Sequence, residues 1–131
     1  MTQLEKVQKF FESDVFATFA TGIEIKEIGD KWAKCSLTLD SRHKNAAGQV
    51  MGGVIFTIAD FAFAVASNSE SMVTVTTSSS ISFLGTVKGN ELIAETRLIK
   101  DGKRSCFYEV TVKDELDNPI ALVSTVGTHI I

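Results

Sequence analysis

One carboxylate stands inside an apolar run. From Val54 to Ala66 every residue is apolar except Thr57 and Asp60, and an ionised carboxylate in such surroundings costs several kcal/mol unless it is hydrogen-bonded, paired or neutralised. Two readings of Asp60 are open. It either bonds a neighbouring strand and fixes packing, or it works, because a carboxylate held there can take a proton from water or attack an acyl carbon directly. Just upstream, Gly52 and Gly53 carry no side chains. If they open a helix, their N–H groups lack intrahelical acceptors and offer a carbonyl oxygen or an anion the positive end of the helix dipole. The plainer reading of the pair is a tight turn into that helix. Taken together, a carboxylate and two free amide donors suit acyl transfer, where an oxyanion must be stabilised.

The run itself reads as a helix. Val54, Ile55 and Ile58 would suit a strand, but its length, its alanine content and the Gly pair before it favour a helix without an amphipathic stripe, buried on nearly all sides. A membrane span would need about 20 apolar residues, and this stretch is shorter and carries a charge. At the N-terminus, Thr2 followed by Glu5 has the capping-box spacing, and Leu4, Val7, Phe10, Phe11 and Val15 repeat along one face, predicting a helix over residues 2 to about 16. Extended runs follow at 22–28 and 31–39, split by Gly29-Asp30 as in a hairpin. Residues 40–50 are a polar loop leading into the central helix. After Asn68-Ser69-Glu70-Ser71 the chain is strand-like over 72–83, 91–100, 104–114 and 119–129, with breaks at Lys88-Gly89-Asn90, Asp101-Gly102 and Asp117-Asn118-Pro119. This order predicts an α+β plan: an antiparallel sheet of about six strands, consecutive ones at hairpin spacing, wrapped around the long central helix, with a second helix at the N-terminus.

At 131 residues the chain is expected to be a single domain spanning 1–131. A net charge of −3 with scattered Lys and Arg gives no basic field for nucleic acid. The mixed charges of the first residues fit no secretory signal, and two cysteines, Cys35 and Cys106, are too few for a disulfide scaffold. A cytoplasmic protein without a membrane partner is expected. His43 and His129 stand apart from Cys or carboxylates at ligand spacing, so no metal site is expected. His43 reads either as a loop-capping hydrogen bonder or as an orienting group near the substrate.

Several residues match a known pattern: His43, Asn45, Gly48, then Met51-Gly52-Gly53, Ile58-Ala59-Asp60, Asn68, and later Ile81-Ser82-Phe83-Leu84 and Gly102-Lys103-Arg104-Ser105. Over nearly its whole length the sequence resembles the hotdog-fold acyl-CoA thioesterases of the PaaI-like, phenylacetate-pathway type. The resemblance implies a hotdog fold and hydrolysis of an acyl- or aryl-acyl-CoA thioester. It implies that Asp60 is the catalytic nucleophile or general base, that the Gly52 N–H polarises the thioester carbonyl, and that Asn45 positions the carbonyl or the water. It further places Met51, Gly53, His43, Ala64, Ser82 and Phe83 around the substrate and Lys103, Arg104 and Ser105 at the coenzyme A phosphates, with no cofactor beyond the coenzyme A of the substrate itself. Two positions depart from the pattern: Met51 stands where the family has His, and Thr86 where a Pro is expected. Met51 makes a non-catalytic acyl-CoA binder or sensor the competing reading, although a binder has no need of Asp60.

Gly52 and Asp60 are eight positions apart, roughly 12 Å along an α-helix, whereas a reacting carbonyl must lie within about 3–3.5 Å of the groups acting on it. One chain therefore cannot supply both. Two antiparallel copies of the helix about a two-fold axis can, so at least a homodimer is expected, and the resemblance implies a homotetramer built of two such dimers.

Overall fold

Thr2 and Glu5 form the reciprocal cap that their spacing predicts. Thr2 Oγ1 accepts from the Glu5 N–H at 3.1 Å and Glu5 Oε1 accepts from the Thr2 N–H at 2.9 Å. They open α1, Gln3–Phe11, which buries Val7 and Phe11. These elements belong to a computed structural model that describes residues 1–68 and 72–130; the break read at Ser69, Glu70 and Ser71 lies outside the described residues. Helix α1 stops at Phe11, short of the expected residue 16. Asp14 draws the backbone away by accepting from the Ala17 N–H at 3.4 Å, and the chain re-forms as a π-helical turn, Phe16–Thr21, closed by Gly22 at φ 93°. Val15, which the periodicity puts on the buried face, is consequently 56% exposed.

The strands are β1 Glu24–Gly29, β2 Trp32–Thr38, β3 Thr74–Phe83, β4 Glu91–Asp101, β5 Ser105–Asp114 and β6 Pro119–His129. They form one antiparallel sheet in the order β1-β2-β4-β5-β6-β3. The expected strand count and helix placement hold, but β3 and β4 are not a hairpin. β2 takes the free edge of β4, with Cys35 opposite Ala94, and β3 crosses to the far edge beside β6. The central helix α2, Gly52–Asn68, buries Ile55, Ile58, Ala59, Phe61, Ala62, Phe63, Val65 and Ala66 within a core that includes Leu37, Leu92, Ala94, Val110, Val112 and Val123 from the sheet. Close approach is possible where β6 has no side chain: a Cβ on Gly127 would lie 2.6 Å from the Phe63 ring.

The far end of α2 is tied to three strands and a turn. Asn68 Oδ1 accepts from the Val73 and Thr74 N–H groups, each at 2.8 Å. Thr74 Oγ1 meets His129 Nδ1 at 2.9 Å, His129 Nε2 meets Asp101 at 2.8 Å, and the Lys31 ammonium pairs with Asp101 at 2.8 Å. Cys106 lies beside this chain, its thiol within 4.8 Å of the Asp101 and His129 donor atoms. Their separation in sequence hides that grouping, and Lys31 already answers the carboxylate charge there. Among the described residues, no helix is long and apolar enough to cross a membrane.

Candidate active site

Asp114 and Asp60 are both withdrawn from water, and their surroundings differ. Asp114 is fully buried and is saturated with donors. It accepts from the Lys88, Gly89, Leu116 and Asn118 N–H groups and from the Asn118 side chain, at 3.0 to 3.1 Å. Burial opposes its charge, but those bonds outweigh burial and hold its carboxyl well below the usual carboxylate range. Asp60, half-buried on α2, has one hydrogen-bond partner among the described residues, the Thr76 hydroxyl of β3, at a long 3.4 Å. Burial pushes its carboxyl above the ordinary value, the Thr76 hydroxyl pulls it back, and the charge of Asp14 raises it further. Asp114 is locked in structure, whereas Asp60 is desolvated and nearly unsatisfied, the condition of a carboxylate available for base or nucleophile chemistry. Asp60 is the carboxylate that the apolar run singles out, and the structure leaves it far less satisfied than the more deeply buried Asp114. Thr76 escaped the sequence reading because it lies in a run of Thr and Ser that gives no sign of which hydroxyl faces the helix.

At the start of α2 the loop is fixed by the Met51 N–H, which donates to the His43 carbonyl at 2.8 Å, while the Met51 carbonyl accepts from the Val54 N–H at 2.9 Å. The Gly52 and Gly53 N–H groups have no acceptor among the described residues, as a helix N-terminus requires. Gly52 faces the ring of Phe83: a Cβ there would come within 3.1 Å of the ring, so a side chain at this position would press on it. Gly53 has more room, its nearest neighbour being the Met51 methyl at 3.7 Å from a notional Cβ. Beside Gly52, the side chains of Val50, Ile55, Phe83 and Val87 border an apolar cavity of about 200 Å³. A hollow of about 420 Å³ opens at the other end of α2, near Val7, Trp32 and Asn68, but neither Asp60 nor the open amides line it, so size does not select the site.

Asn45 sits six positions before Met51, in a loop that it holds itself: its Oδ1 accepts from the Ala47 and Gln49 N–H groups at 2.9 and 3.1 Å. The carbonyl is therefore committed, and on this exposed residue the amide NH₂ is the group left to donate. His43 is 1% exposed, with Nδ1 3.0 Å from the Asp40 N–H and Nε2 2.7 Å from the Thr21 carbonyl. Both ring nitrogens are used inside the fold, which places His43 as the pin of the loop rather than at a ligand surface. Met51 and Phe83 are exposed, Ala64 is half-buried on α2 and Ser82 is exposed on β3. Lys103 and Arg104 are exposed at the β4–β5 turn, where the Gly102 N–H donates to the Ser105 carbonyl at 2.8 Å and the Arg104 carbonyl accepts from the His129 N–H at 2.7 Å. Through His129 and Thr74 this turn stands at the Asn68 end of α2. Within one chain it is thus remote from Gly52, at the opposite end of a 17-residue helix.

A sheet wrapped around one long helix, with a desolvated carboxylate mid-helix and open amides at the helix start, is the hotdog plan, and the thioesterase superfamily matches residues 47–121. The chain belongs to that superfamily of thioester hydrolases, and within it is PaaI-like. It is 34% identical over 99 residues to an Archaeoglobus fulgidus protein described as a candidate esterase, covering 75% of this chain but only 64% of that relative's length. To the acyl-coenzyme A thioesterase PaaI of Escherichia coli it is 28% identical over 119 residues, 90% of this chain and 84% of the relative. The solved structure of the E. coli PaaI protein superposes with a TM-score of 0.85 at 23% identity, over 99% of this chain and 97% of that one. A Streptococcus pneumoniae protein described as a hypothetical thioesterase, solved with coenzyme A, gives a TM-score of 0.82 at 19% identity over 91% and 95% of the two chains.

Proposed function

We propose that this protein hydrolyses an acyl- or aryl-acyl-coenzyme A thioester to the free acid and coenzyme A. The observation that carries the reading is the desolvated carboxylate of Asp60, held by a long hydrogen bond from Thr76 on the helix whose N-terminal amides are open among the described residues. In the reaction the acyl–sulfur bond breaks, an acyl–oxygen bond forms from water, and the sulfur leaves as a thiolate that takes up a proton. The Gly52 N–H stabilises the oxyanion that develops on the carbonyl. Asp60 either attacks the carbonyl or deprotonates the water, and the Asn45 NH₂ donates to the carbonyl or to the water. The relatives named for esterase and acyl-CoA thioesterase activity, and the neighbour solved with coenzyme A, support the substrate class.

The working unit in this reading is a two-fold dimer. Asp60 and Gly52 are separated along one helix, and β3 leaves its outer edge unpaired in the chain, so a second copy can extend the sheet and bring its α2 antiparallel to the first. Gly52 and Asn45 of one chain then face Asp60 of the other. The Lys103–Ser105 turn of the Asp60 chain stands on that same side, within reach of the coenzyme A phosphates. Release of free thiol from a panel of acyl-CoA esters by wild type and by Asp60→Asn tests the reading. Binding of acyl-CoA without thiol release by the wild type would instead identify a sensor.

A further inference from the structure

Where β4, β5 and β6 end beside one another, three side chains with metal-binding chemistry share a face of the sheet. Asp101 of β4 stands opposite Cys106 of β5, and Cys106 opposite Gly127 of β6. His129, two positions past Gly127, returns to the same side of the pleat. Gly127 gives the thiol its room, since a Cβ there would lie 3.0 Å from Cys106 Sγ. A carboxylate oxygen of Asp101, the Cys106 sulfur and an imidazole nitrogen of His129 all lie within 4.8 Å of one another. A tetrahedral zinc site holds its ligand atoms about 3.3–3.8 Å apart, so shifts of about 1 Å convert this grouping into one.

The hydrogen bonds around His129 leave a place for a cation. Its Nδ1 lies 2.9 Å from Thr74 Oγ1 and its Nε2 2.8 Å from Asp101 Oδ1. Thr74 Oγ1 carries one proton and donates it to the Ser67 carbonyl at 3.3 Å. Nδ1 is then the donor to Oγ1, and Nε2 and the carboxylate oxygen, two acceptors, face each other across a position that calls for positive charge. A ligating imidazole is held in this way, its other ring N–H fixed by an oxygen. On the far side of the carboxylate the Lys31 ammonium is 2.8 Å from Asp101 Oδ2. Its half-exposed side chain is a flexible stem that can withdraw to water when a stronger cation arrives.

We propose that Asp101, Cys106 and His129 bind one zinc ion per chain, independently of the assignment of Asp60. One thiolate, one imidazole and one carboxylate suit a borderline-soft ion that accepts four ligands, whereas magnesium and calcium take oxygen alone. A cavity of about 190 Å³, bordered also by Ser67, Thr74 and Tyr108, leaves the fourth position to water. On binding, the Cys106 thiol releases its proton to solvent and Lys31 leaves Asp101. The thiolate and the carboxylate then cancel the two charges of the ion. Burial raises the Cys106 thiol, and a coordinated metal is what draws off such a proton. Because His129 is 28 positions from Asp101, no short ligand motif marks the site. The ion ties three strand ends together beneath the 102–105 turn, whose Arg104 carbonyl accepts from the His129 N–H at 2.7 Å, and so stiffens the turn that carries Lys103 and Arg104.

The test is metal binding itself. Chelator-treated protein is titrated with Zn²⁺ by calorimetry and with Co²⁺ by absorption spectroscopy, with Mg²⁺ as the comparison. About one Zn²⁺ per chain is expected, together with a thiolate-to-cobalt charge-transfer band in the near ultraviolet and no binding of Mg²⁺. Cys106→Ser is expected to abolish the band, and His129→Ala and Asp101→Asn each to weaken Zn²⁺ binding by about tenfold or more. Cys35→Ala is expected to leave the band and the affinity as they are. Zn²⁺ is also expected to raise the Tm of wild type and not that of His129→Ala. Should Cys106→Ser fail to fold, the wild-type cobalt band and the variants of the partly exposed Asp101 and His129 decide the matter. A cobalt complex without the charge-transfer band, or Zn²⁺ affinity unchanged in His129→Ala and Asp101→Asn, overturns the site.

Discussion

At the scale of single residues, the contrast between Asp60 and Asp114 shows what decides whether a buried carboxylate does chemistry. Asp114 has N–H donors on every side, and replacing it with Ala leaves them facing apolar space; a fall in Tm of about 5 °C or more is expected in thermal melts. Asp60 behaves in the opposite way. Burial raises its carboxyl above the ordinary range, so the folded chain holds that proton more tightly than the unfolded chain. Folding then loses stability as pH rises through that range, and loses nothing below it. Asp60→Asn is therefore expected to melt at a higher temperature than wild type at about pH 8, with the gap closing near pH 3, while thiol release falls about a hundredfold or more. The Thr76 hydroxyl lowers the same carboxyl, so Thr76→Val is expected to move the acid limb of kcat/KM to higher pH; an unmoved limb would remove Thr76 from the site. Asp60 was legible in the sequence because its neighbours are apolar. Asp114 was not, because it lies at a strand end among polar residues and its donors come from backbone 25 positions away or more in the case of Lys88 and Gly89.

At the scale of elements, hydrophobic patterning, together with the length and alanine content of the central run, located both helices and all six strands, but it could not say where a helix yields to a competing local bond or which strands are neighbours. Helix α1 ends where Asp14 captures a backbone N–H, and that short-range event turned an expected core position, Val15, outward. The pairing of β3 with β6 instead of β4 depends on β2 occupying the other edge, a long-range choice that no local pattern records. The β4–β5 turn was read correctly as a break, and its Lys103 and Arg104 project into solvent. Replacing both with Ala is expected to raise KM for coenzyme A esters about tenfold and to leave KM for a short thioester without the nucleotide within about twofold. Equal effects on the two substrates would remove this turn from the coenzyme A contact.

At the scale of the whole molecule, Gly52 and Asp60 belong to one helix and cannot close on one carbonyl. Mixing Asp60→Asn chains with Asn45→Ala chains and exchanging subunits gives mixed dimers with one intact site and one doubly impaired site. If exchange is random, half of the dimers are mixed, and about a quarter of wild-type activity is expected to return. No recovery after demonstrated exchange, or full activity in a monomer, would overturn the shared site. The expectation of a second chain comes from the sequence alone because an axial distance follows from residue count. It did not disclose that β3 is, with β1, one of the sheet's two edges, since strand order is settled only when the sheet closes around α2.

The two cysteines bear on how any of these measurements is made. Cys35 and Cys106 are 0% and 1% exposed, and burial pushes the Cys35 thiol up to about 12 and raises that of Cys106, so neither supplies the thiolate that reacts with a disulfide reagent. A colorimetric thiol probe added to the native protein should therefore report only the coenzyme A released at the site. The same probe becomes a clock for opening of the fold: native protein is expected to give no signal, and protein in denaturant two equivalents per chain, one from β2 and one from β5.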